Sequence, residues 1–164
     1  MERQIWILTA MHDLKWKISA FADLSAAELY TILQLRNEVF VVEQNCIFQD
    51  ADNVDQLSFH ISGRQQDAII AYARIVPPGI LYPEPSIGRV VTKPTHRQTG
   101  IGKLLMQYSI EHCYRLYGPT AITIGAQLYL ENFYNNLGFQ SIGDTYLEDN
   151  IPHIKMVKPF IANS

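Results

Sequence analysis

The chain has 164 residues, of which 48% are hydrophobic and 18% charged, with a net charge of −3. That length suits one domain able to bury roughly two-thirds of its unfolded surface. The acidic balance and the lack of a basic stripe exclude a general attraction to nucleic acid, so an anionic ligand has to be held by local geometry.

No apolar run approaches the ~18 residues of a membrane span. Ile5-Trp6-Ile7-Leu8 is too short for a signal-peptide core. Regular patterning begins only near Leu14, so residues 1–13 read as an N-terminal extension and 14–164 as the domain, with Met11 a conceivable alternative start. Cys46 and Cys113 form neither a CxxC pair nor a zinc spacing. They read as reduced, buried thiols of a cytoplasmic protein, and no metal site is expected.

Lys15-Trp16-Lys17-Ile18 alternates polar and apolar, which predicts a first strand. Ser25 three residues before Glu28 is a capping-box signature. Leu29, Ile32, Leu33 and Val39 or Phe40 then recur at helical spacing and predict a helix over about 26–38. Residues 40–45 continue it into a polar loop at 49–53. Strands are expected at 59–62 and 68–76, with a turn at 63–67, and Pro77-Pro78-Gly79 ends the second strand. A Pro-rich connection leads to a strand at 87–92.

A helix over about 100–117 is stopped by Gly118-Pro119. A strand at 122–124, a short helix at 132–137 stopped by Gly138, and closing strands at 139–142 and 153–157 around a turn at 149–152 complete the chain. This order predicts an α/β (α+β) fold with a central, mixed, mostly antiparallel sheet and helices on both faces.

The most informative stretch is Arg97-Gln98-Thr99-Gly100-Ile101-Gly102-Lys103, set between a strand and a helix. A glycine-containing loop at a helix start offers unpaired N–H groups and a positive dipole end to an anion. Leu104 stands where an NTPase loop needs a magnesium-binding hydroxyl, which excludes that class. Leu105 takes the third small position of a dinucleotide fingerprint, which argues against that one. The remaining class is the acyl-CoA loop.

Here the chain resembles the GNAT N-acetyltransferase superfamily. Residues Arg97 to Gly102 match its R/Q-x-x-G-x-G/A motif, and residues 132–139 resemble its second cofactor block. Residues 35–46 and 151–154 look like the ElaA-like branch. The resemblance implies the acyl-CoA N-acyltransferase fold, acetyl-CoA as acetyl donor, an amine acceptor, and a monomer or homodimer without nucleic acid, membrane or metal. It implies that Val90, Val91 and Thr92 pair with the pantetheine arm. It also implies that Arg97, Gln98, Thr99, Gly100, Ile101, Gly102 and Lys103 cradle the pyrophosphate, and that Asn132 and Tyr134 meet the cofactor arm and its sulfur.

Direct transfer needs a deprotonated amine, a polarised thioester carbonyl and a proton for the departing thiolate. Tyr134 is the expected acid. The family's usual glutamate base falls at Gly88, so the base is sought among His60, His153, Glu43 and Glu148, with His153 first. Arg36, Glu43 and Gln44 are expected on the acceptor wall. Arg74 and Arg89, on central strands, are expected there too, paired with Glu43, Asp50 or Asp52. A non-catalytic CoA-binding module and an acyl-homoserine-lactone-type synthase are the alternatives, the latter for the stretch Arg36 to Phe40.

Overall fold

The strand runs assemble into one sheet of seven, in the order β1-β2-β3-β4-β5-β7-β6. This computed structural model describes residues 13–161, so the expected extension, all but Asp13, and Met11 lie outside the described residues. The strands are β1 (Leu14–Ala20), β2 (Phe59–Gln65), β3 (Ala68–Val76), β4 (Ser86–Thr92), β5 (Ile122–Gln127), β6 (Gln140–Glu148) and β7 (Ile151–Lys158). Every neighbouring pair is antiparallel except β4 and β5.

Helix α1 (Ala26–Arg36) starts with the expected reciprocal cap. Glu28 N–H donates to Ser25 Oγ at 3.2 Å and Ser25 N–H to Glu28 Oε2 at 3.0 Å. Ile32, Leu35 and the following Val39 pack on one sheet face, against Ile69, Tyr72 and Val91. Helix α2 (Ile101–Tyr117) covers the other face, with Leu105, Met106 and Cys113 fully enclosed against Ile61, Ile70, Ile75 and Ile124. Truncating one such core side chain to alanine costs about 2–5 kcal/mol. Helix α3 (Glu131–Asn135) is one turn long.

Several boundaries differ from expectation, each for a tertiary reason. Residues 37–38, expected to finish α1, instead open a π-helix, Asn37–Glu43. Its wide i→i+5 bonds include Gln44 N–H to Val39 C=O and Cys46 N–H to Val41 C=O, both 3.1 Å. Gly63 belongs to β2 and makes no turn. A Cβ there would sit 2.6 Å from the Trp16 ring, so the glycine makes room for an indole from β1. The β2–β3 turn is only Gln66-Asp67. β6 runs on to Glu148 through a register shift beside Gly143, and the β6–β7 turn is only Asp149-Asn150, both with positive φ.

Two irregularities build the site. In β4, Val91 pairs with Tyr72 but Gly88 pairs with Arg74, and Arg89 takes φ 51°. Two β4 residues therefore oppose one on β3, a bulge that bends the strand. β4 then meets β5 in register only at Ser86 and Thr123. Past that point the two central strands diverge and leave a cleft.

Candidate active site

A cavity of about 710 Å³ fills the cleft between β4 and β5. The glycine loop from Arg97 to Lys103 closes one end. Gly100, φ 88°, caps α2 without a side-chain bond, and the first helical bond is Leu104 N–H to Gly100 C=O at 3.2 Å. The amides of Ile101, Gly102 and Lys103 therefore lie outside the helix ladder, at the positive end of its dipole. A Cβ on Gly102 would meet nothing closer than Thr92 Cγ2 at 3.8 Å. Packing does not demand that glycine; its effect is to leave backbone open to the cavity. Lys103 lines the cavity with no ion-pair partner among the described residues. Among the described residues, the β4 edge facing the cleft has no strand partner beyond Ser86. A free extended edge leading to an anion cradle fits a long acyl carrier ending in a pyrophosphate.

Val90, Val91, Thr92, Arg97, Gln98, Gly100, Gly102, Lys103 and Tyr134 line this cavity together. Three residues expected among them do not. Thr99 turns its hydroxyl onto His96 C=O at 2.7 Å. Ile101 is a core residue, 3% exposed. Asn132 is exposed on α3, and its neighbour Phe133 lines the wall in its place.

Tyr134 is buried, held edge-on between Phe133 and Phe139. Its hydroxyl bonds to no other described residue. Burial, reinforced by nearby Tyr129, raises its pKa above the ordinary phenol value, so the proton stays on Oη at neutral pH.

His153 lies on β7, opposite Gln127 of β5 and Tyr146 of β6. Its Nδ1 is 2.8 Å from Ile151 C=O. A carbonyl only accepts, so Nδ1 carries the hydrogen and the lone pair of the neutral ring is on Nε2. Glu148 also lines the cavity. The other two base candidates are committed elsewhere. His60 is 2% exposed and bonded to Tyr72 Oη and Asp55 C=O, and burial lowers its pKa. Glu43 is gripped by Arg97 at 2.5 and 2.8 Å, which holds its carboxyl below the ordinary range. At Gly88 a Cβ would have nothing within 4 Å, so no side chain fills the place of the family's usual base.

The expected acceptor wall divides. Glu43 and Gln44 line the cavity; Arg36 does not. It is wholly buried and bonded through Nε to Asp50 at 2.8 Å and through Nη1 to Asp55 at 2.8 Å. Arg74 and Arg89 do reach the wall, but their guanidinium groups are taken up. Arg74 holds Asp52 at 2.7 Å and Asp55 at 2.8 Å. Arg89 holds Asp50 at 2.7 Å and Asp52 at 3.2 Å. Asp50 and Asp52 are therefore the partners, with Asp55 added and Glu43 excluded. This network pins the loop at 49–55 under the cavity.

Gln127, Tyr129, Tyr82 and Phe48 also line the walls. Sequence reasoning missed all four, since each stands in a loop, a single 3-10 turn or at a strand end, without periodicity. Gly125 makes room for two phenols: a Cβ there would lie 2.8 Å from Tyr146 Oη and 3.1 Å from Tyr82 Oη. Among the described residues no helix is long and apolar enough to cross a membrane, and no group of three or more His, Cys, Asp or Glu is placed to hold a metal ion. Cys46 and Cys113 are buried and unpaired.

The acetyltransferase (GNAT) domain family matches residues 26–160. The UPF0039 protein sll0451 of Synechocystis is 40% identical over 146 residues, 88% of this chain and 95% of its own. Protein ElaA of Escherichia coli is 39% identical over 150 residues, 90% of this chain and 98% of its own. The crystal structure of an acyl-CoA N-acyltransferase from Pseudomonas aeruginosa superposes with a TM-score of 0.85 at 38% identity, covering 88% of this chain and 99% of that one.

Proposed function

This chain belongs to the GNAT acetyltransferase family, and from that premise we propose that it moves an acetyl group from acetyl-CoA directly to a primary amine of a small molecule or peptide. The observation that carries the reading is the junction of the splayed β4 edge with the uncapped amides of Ile101, Gly102 and Lys103, in one cavity with a buried, protonated tyrosine. When bound, acetyl-CoA supplies the thioester carbonyl and the sulfur leaving group.

The residues divide the remaining work. The loop amides and Lys103 hold the pyrophosphate. β4 backbone near Val91 donates an N–H to the thioester carbonyl. His153 Nε2 takes the proton of the incoming ammonium, its Nδ1–H anchored on Ile151 C=O. Tyr134 Oη gives its proton to the departing sulfur as the C–S bond breaks, and the proton shed by the newly acylated nitrogen restores the phenol. A phenol is suited to this, because a thiolate in an apolar pocket is an adequate base for it.

Acetyl-CoA consumption across an amine panel, measured beside CoA binding, tests the reading. Tyr134→Phe should lower kcat by roughly a hundredfold or more while leaving CoA affinity near that of the parent. An unchanged kcat removes Tyr134 from the chemistry. His153→Gln should erase the rising limb of the pH–rate profile, and a variant that keeps the limb has its base elsewhere. CoA binding without turnover of any amine would favour a non-catalytic module, for which the empty place at Gly88 speaks.

A further inference from the structure

The π-helical end of α1 touches both banks of the cleft with consecutive residues. Glu43 forks onto Arg97 of the phosphate loop, Oε1 and Oε2 each receiving one Nη. Gln44 exchanges amide hydrogen bonds with Gln127 at the end of β5, 3.2 and 3.4 Å long. Upstream, Val39 is anchored in the core at 5% exposure. The segment is thus held at its root by packing, on the β5 bank by neutral amides, and on the loop bank by one ion pair.

That ion pair is the part that can change hands. Arg97 and Glu43 are 39% and 40% exposed at the side chain, so water reaches both. Arg97 has no other carboxylate partner among the described residues, and it lines the cavity at the glycine loop, where under the donor reading its Nη donors would fork onto the diphosphate. A guanidinium cannot fork fully onto a carboxylate and a diphosphate through the same two N–H groups. Glu43, once released, remains in the cavity wall, because Gln44 and Val39 hold the chain on either side of it.

We propose that Glu43 is the carboxylate that receives the acceptor's ammonium group, and that it is uncovered when Arg97 passes from Glu43 to the donor's pyrophosphate. The inference rests on the donor reading above. Donor binding then creates the acceptor subsite, and by linkage the acceptor tightens the donor by the same factor. Glu148 and Asp149 also line the cavity without an ion pair among the described residues. They offer a competing subsite that would take an ammonium whether or not the donor is present.

The test is the affinity of pentylamine, measured by NMR titration on the full chain with and without saturating CoA. CoA should raise pentylamine affinity by about tenfold. Arg97→Ala should bind pentylamine in the free protein as well as the CoA-loaded parent does, and should bind CoA more weakly. Glu43→Gln should bind CoA more tightly than the parent, since nothing has to release Arg97, and should show no CoA effect on pentylamine. CoA binding that leaves pentylamine affinity unchanged overturns this inference alone. Coupling that survives intact in Glu43→Gln also overturns it, because the coupling then does not run through Glu43, whereas CoA-independent binding that persists in Glu43→Gln assigns the ammonium to Glu148 and Asp149. Absence of CoA binding overturns the functional reading itself and this inference with it.

Discussion

In the interior, Arg36 and Arg74 are 0% and 2% exposed at the side chain and are held by Asp50, Asp52 and Asp55, with Asp55 common to both; at the cavity mouth, Arg97 is 39% exposed and forks onto Glu43, its one ion-pair partner among the described residues. The chemistry is the same in both places, and burial makes the consequences opposite. In the interior, a lost partner leaves a charge that water cannot reach, so the network behaves as architecture. At the mouth, water or a phosphate can replace the partner at little cost, so the pair is free to serve binding.

The comparison breaks most sharply at Asp55, which serves both buried arginines. Asp55→Ala should destabilise the fold by about 3–5 kcal/mol, read from urea denaturation. A loss below about 1 kcal/mol would mean that the network does not hold the loop.

Acid should find the same difference. Burial alone would raise the Asp52 pKa, but the hydrogen bonds and charge of Arg74, with Val54 N–H and Arg89, outweigh it and bring it to about 2. A depressed pKa means that the unfolded chain binds the proton first. The stabilisation is therefore complete above about pH 4 and is lost as pH falls towards 2. After allowance for the 26% of the side chain left in water, the loss should be on the order of 1–2 kcal/mol. Glu28, also brought to about 2 by Lys17 and Ser25, titrates in the same window. Circular dichroism of Asp52→Asn and Glu28→Gln across that range separates the two contributions.

The smallest effect belongs at the mouth. Arg97→Met should change stability by no more than about 0.5 kcal/mol, while CoA affinity falls measurably by calorimetry. A stability loss matching that of Asp55→Ala would erase the distinction between the two regions.

What was readable in the chain was what short-range physics controls. The cap of α1 needs only Ser25 and Glu28 three residues apart, and both expected bonds are present. The phosphate loop needs only a strand, two glycines and a helix start in succession, and nine of the expected cofactor residues share one cavity. Arg36, expected on the acceptor wall, is instead enclosed by partners on a distant loop, Asp50 and Asp55, which no local pattern shows. Gly63 was misread as a turn because the ring it accommodates lies 47 positions earlier in the chain, on Trp16.

Pattern, caps and the glycine loop are local properties, and they determined the fold class, the resemblance to the family and the uncapped helix start at one end of the cavity. The tertiary structure alone decided which charges are architecture and which are available. That choice depends on burial, and burial depends on the bulge at Arg89, the single register match of β4 with β5, and the wide turn that carries Glu43 to Arg97. None of these leaves a periodicity in the sequence, because each is settled by partners brought together only when the sheet has formed.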